Sequence, residues 1–133
     1  MLGISLRSSP KFRGDDAWNA RDADRFAALF TDEAIMSFVD REETMTGRTA
    51  IQEVFAQRFH AFPPDLVHQS TVQRVQAVAH GVLAVDSEVI VLRQPAEAGA
   101  DGIRLRTFRV FALLSRTDTG WRFRDMRIMQ MPP

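Results

Sequence analysis

Alternate residues near the carboxyl end of this 133-residue chain set polar groups among aromatic ones. Ser87, Thr107, Arg109, Asp125 and Arg127 share a strand face with Phe111, Trp121 and Phe123 if neighbouring strands pair in even register. Buried charges are costly unless paired, so Arg109 and Asp125 are expected to meet across adjacent strands. An aspartate held by arginine is a poor proton acceptor, which makes Asp125 an orienting group. Arg127 is left to receive a ligand oxygen: a carboxylate, a phenolate or an enolate. Arg109 and Asp125 are the candidate catalytic pair, with Arg127, Thr107, Ser87, Trp121 and Phe123 as candidate ligand contacts. The same cluster also reads as an ion pair that only fixes sheet register.

Other chemistry finds less support. His60, His68 and His80 lack metal-ligand spacing, so no metal is expected. His60 lies near a helix end, His68 opens a strand and faces either side, and His80 precedes the turn glycine Gly81. The absence of cysteine excludes disulfides and thiolate nucleophiles. There is no nucleophile-elbow serine motif, P-loop or dinucleotide fingerprint, so no cofactor is expected. A hydrophobic content of 45% with formal net charge +0 argues against a nucleic-acid or anionic-membrane partner. The first residues are not a leader and no stretch approaches a membrane span, so a cytoplasmic protein is expected.

The elements that must position these groups follow from periodicity. Residues 1 to 14 read as a loose arm, and residues 15 to 133 as one domain. Asp15 or Asp16 caps a short helix bearing Trp18, and Asp22 caps the next. Residues 34 to 39 are β-rich, with a hairpin tip at Asp40 to Glu43. Thr49 and Gln52 form a capping box for a helix whose Ile51, Val54, Phe55, Phe59 and Phe62 recur at helical spacing until Pro63-Pro64. Thereafter the period is two, predicting strands at about 67–79, 82–93, 103–115 and 121–130. Helices first and a strand meander afterwards is an α+β arrangement.

Three segments carry a resemblance: W-N-x-R-D at Trp18 to Asp22, F-x-x-L-F-T-D-E-A at Phe26 to Ala34, and G-R-x-A-I at Gly47 to Ile51. Their order resembles the NTF2-like superfamily, and within it the SnoaL-like and SgcJ/EcaC-type proteins. The resemblance implies a cone: a curved sheet wrapped around N-terminal helices, enclosing a pocket for a small hydrophobic ligand. Trp18, Phe30, Phe38, Phe55 and Phe59 would join its wall. Catalytic relatives act as cyclases, isomerases, dehydratases or epoxide hydrolases, usually without cofactor. Ketosteroid isomerase chemistry is disfavoured, because Phe38 stands where that enzyme has its aspartate base and the chain has no tyrosine. An epoxide-hydrolase-like trio of Asp86, Arg109 and Asp125 would need Asp86 to face inward. Relatives commonly pair through the outer sheet surface, which here would present Ile90, Phe108, Val110 and Met126 to a homodimer partner. The alternative is a non-catalytic association domain or ligand carrier.

Overall fold

Helical and two-residue periods meet at Pro63-Pro64, and the chain changes architecture there. The computed structural model describes residues 10–94 and 102–132. Before the prolines come α1 (Pro10–Asn19), α2 (Ala23–Ala27), β1 (Phe30–Phe38), a 3-10 turn (Val39–Arg41), β2 (Glu43–Thr46) and α3 (Arg48–Ala61). After them come β3 (Leu66–Ala79), β4 (Val82–Arg93), β5 (Ile103–Thr117) and β6 (Gly120–Gln130). The six strands form one sheet in the order β2-β1-β6-β5-β4-β3, antiparallel except for the β1–β6 pair.

Asp22 caps α2, accepting the Arg25 N–H at 3.0 Å. Two local expectations are corrected. The proposed arm 1 to 14 is helical from Pro10, a residue suited to a first helical position, while residues 1–9 lie outside the described residues. The Thr49–Gln52 capping box does not form: Gly47 precedes the helix without a side-chain cap, and Gln52 Nε2 donates to Asp24 Oδ1 at 3.0 Å. Gly47 has φ 93° and ψ 149°, a region open in practice only to glycine. Its N–H donates to the Ala34 carbonyl at 2.7 Å, tying the start of α3 to β1.

The helices lie on one face of the sheet. Ile51, Phe55 and Phe59 of α3 are buried with Trp18 and Phe26 against Phe30 and Met36 of β1. Each such apolar side chain contributes about 1.5–3 kcal/mol when fully buried, which stabilises these short helices where propensity alone would not.

Register decides which side chains face this layer. On β4, Leu83, Val85, Ser87 and Val89 are buried beneath the helices, as their parity predicts. Between β4 and β5 the register is odd rather than even: Val85 opposes Ala112, Ser87 opposes Val110 and Val89 opposes Phe108. Even-numbered β5 residues therefore face inward. Along β6, Leu114 pairs with Phe123 but Leu113 with Asp125, so Arg124 is one residue too many. Such a bulge reverses the faces of everything beyond it. Trp121 and Phe123 pack on the core, Met126 and Ile128 face inward, and Asp125, Arg127 and Met129 face outward.

The expectation that Thr107, Arg109, Asp125 and Arg127 look beneath the helices is corrected accordingly. Arg109 opposes Met129, and the ion pair of Asp125 is with Arg127, at 3.7 Å on the outer face. Asp86 opposes Phe111 on that face, so no Asp86–Arg109–Asp125 trio assembles inside. Phe108, Val110 and Met126, expected on the outer surface, face the helices instead, whereas Ile90 is on the outer face.

Candidate active site

The cone encloses a cavity of about 430 Å³, a size suited to one small molecule. Its deep wall is apolar: Phe26 and Phe55 from the helices, Met36 from β1, Val110 from β5, and Phe123 and Met126 from β6. Trp18, Phe38 and Phe62 line it further: Trp18 stacks on Phe62 at 5.2 Å, and Arg41 and Arg58 lie over the Phe38 ring at 4.2 and 5.1 Å. An apolar cavity of this kind rewards burial of a ligand's hydrocarbon surface at about 25 cal/mol per Å².

One ionisable pair reaches the cavity through one of its members, His68. Asp15 sits in α1, one turn before Asn19, and its carboxylate is buried against β3. Asp15 Oδ1 is 2.6 Å from His68 Nδ1, and the same carboxylate accepts the Ser70 N–H and hydroxyl, both at 2.8 Å. His68 and Ser70 lie two residues apart on β3, so both point to the helical side, where α1 meets them. Asn19 fixes this docking by donating to the His68 carbonyl at 3.0 Å and accepting its N–H at 2.7 Å. The His68 ring stacks on Trp18 at 4.9 Å and lines the cavity. In a neutral ring whose Nδ1–H is given to Asp15, Nε2 is the acceptor nitrogen, and this is how a carboxylate orients a histidine for proton transfer.

Arg21 secures the frame behind the pair. Its guanidinium donates to the carbonyls of Trp18, Pro63 and Leu66 at 3.0, 2.6 and 2.8 Å and lies over the Trp18 ring. Burial lowers its pKa from the usual arginine value, an effect opposed by the Asp65 charge. Four other arginines, Arg41, Arg58, Arg93 and Arg106, line the cavity itself.

Of the candidates named from sequence, Trp18, Phe38, Phe55 and Phe123 line the cavity. Phe30 and Phe59 are core residues beside it, and Trp121 packs at the core's edge. Ser87 faces inward and is 1% exposed, behind the cavity wall, its hydroxyl without a hydrogen-bond partner among the described residues. Thr107, Arg109, Asp125 and Arg127 are on the opposite face. Sequence reasoning placed His68 at a strand start without choosing a side, and read Asp15 only as a helix cap. The alternation of His68, Ser70 and Val72 with Gln69 and Thr71 was the signal for His68. Nothing local marked Asp15 as its partner.

Residues 15–127 match the family model of the SnoaL-like domain. The chain belongs to the SnoaL-like domain family. Solved structures agree on the fold. A cystatin-like domain of unknown function from Nostoc punctiforme PCC 73102 superposes with TM-score 0.79 at 18% identity, covering 93% of this chain and 74% of that one. A candidate scytalone dehydratase from Novosphingobium aromaticivorans DSM 12444 gives TM-score 0.76 at 18% identity, over 92% and 80%. A ketosteroid isomerase-like protein from Erwinia carotovora atroseptica SCRI1043 gives 0.71 at 16%, over 93% and 92%. No curated protein matches the sequence. Among the described residues no helix is long and apolar enough to cross a membrane, and no cluster of His, Cys, Asp or Glu has the makings of a metal site.

Proposed function

We propose that this SnoaL-like domain binds a small, largely apolar, oxygen-bearing molecule in its cavity and transfers a proton to or from it through His68. The observation that carries the reading is the Asp15–His68 contact at the wall of an apolar chamber. A base in a water-poor cavity removes a proton beside a carbonyl; returning it elsewhere is isomerisation, and expelling a β-hydroxyl as water is dehydration. Both reactions need only the proton carrier that the dyad provides. The fold shared with a candidate scytalone dehydratase and a ketosteroid isomerase-like protein supports this class of chemistry. His68, with Asp15 as its orienting partner, takes the role that Asp125 and Arg109 held in the sequence-based expectation.

Pairing of two copies through the outer sheet face belongs to the same proposal. Ile35, Phe111 and Met129 are exposed there, at 39%, 42% and 47%, with the Asp125–Arg127 pair between them. Native mass spectrometry of the purified protein tests both parts. The expected spectrum is a dimer that carries a retained small molecule, and His68→Ala should keep the molecule while ending its conversion. A ligand carrier would hold the molecule in both proteins and convert it in neither. A cavity empty under all conditions contradicts the reading.

A further inference from the structure

The described cationic side chains of the cavity gather at its wide end. There the chain leaves β1 and β4 and begins β5: Arg41 follows β1, Arg93 ends β4, and Arg106 follows a bulge at Leu105 near the start of β5. Arg58 reaches the same space from α3. Among the described residues two carboxylates answer these four guanidinium groups. Glu43 holds Arg58 at 2.5 Å and Arg41 at 3.6 Å, so one anion serves two cations. Asp65 pairs with Arg93 at 3.4 Å. Arg106 makes no ion pair among the described residues and is exposed.

Among the described residues Asp15 stands behind the cavity wall, and its carboxylate is already engaged by His68 and Ser70. Among the described residues an excess of positive charge therefore faces the mouth of an apolar chamber. Guanidinium forks recognise planar oxyanions, whereas the apolar wall beneath them has nothing to offer a charged group; His68 lies level with Arg106, across Val91. A neutral ligand would gain less from this rim than an anion.

We infer that the cavity selects amphipathic anions: a hydrophobic body that fills the chamber and one carboxylate, sulfonate or phenolate held at the mouth by Arg106 and Arg93. This rests on the reading of the cavity as a ligand site and names the ligand class. The anion's position also sets which end of the molecule reaches His68.

Two fluorescent probes with the same aromatic body separate charge from burial: 1-anilinonaphthalene-8-sulfonate and its uncharged counterpart N-phenyl-1-naphthylamine. The sulfonate should bind once per chain about tenfold more tightly than the neutral probe, as charge-assisted hydrogen bonds imply. That preference should shrink as salt is raised. Arg93→Gln combined with Arg106→Gln should bring the ratio towards one while the neutral probe binds as before; should the double variant bind neither, Arg106→Gln alone decides by the same ratio. Equal affinities in the unaltered protein, or a ratio indifferent to these arginines, would overturn the inference and leave the cavity reading intact. Val110→Trp, which fills the chamber, should abolish both; if both probes persist in it, the cavity reading fails as well.

Discussion

His68 acquires its proposed role from its neighbours rather than from its own type. A histidine on a strand is commonplace; one whose Nδ1 meets a carboxylate buried in a helix, and whose ring lines an apolar cavity, is held in one orientation. Asp15→Asn keeps the shape but leaves one oxygen for these donors, so with that oxygen taken by the Ser70 N–H the amide NH2 faces His68 Nδ1. The expected result is loss of the slowly exchanging Nδ1 proton of His68 in NMR spectra, with the fold retained. For any substrate the protein is found to convert, His68→Ala should lower kcat about 10²–10⁴-fold. Arg21 makes the contrasting case, a charged residue with a purely structural task. Lysine cannot reproduce a fork that reaches three carbonyls, so Arg21→Lys should cost roughly 2–3 kcal/mol in a denaturant melt.

Elements were more legible than faces. The four long strands lie within two residues of where alternation put them, and α3 ends at Pro63-Pro64 as proline chemistry requires. Which face of β5 and β6 turned inward was not legible, because one odd register and one extra residue each invert a whole row. Neither leaves a local mark: Arg124 is an ordinary exposed strand residue, and the bulge exists only in its pairing with β5. This yields a test at the same scale. Arg124→Ala should be nearly neutral, within about 0.5 kcal/mol, as for most exposed positions. Deleting Arg124 should be severe, since it would turn Met126 and Ile128 out of the core or Asp125 and Arg127 into it; a melt unchanged by the deletion would refute the bulge. Gly47→Ala should cost about 1–3 kcal/mol, because no other residue enters α3 comfortably at its φ and ψ.

At the scale of the whole molecule, the sheet separates two surfaces with different tasks. The inner one holds the aromatic cavity, the dyad and the arginine rim. The outer one carries Phe111, Met129 and Ile35 around the Asp125–Arg127 pair and is the proposed contact between copies. Phe111→Glu should convert a dimer into a monomer by analytical ultracentrifugation while leaving probe binding in the cavity intact. The central claim, that a ligand occupies the chamber beside His68, is tested most directly by NMR of the three histidine rings during titration with 1-anilinonaphthalene-8-sulfonate. His60 and His80 are exposed and do not line the cavity, so they serve as internal references. The His68 ring signal should move and saturate with one probe per chain while the other two stay in place. A saturated probe with an unmoved His68 signal would contradict the account.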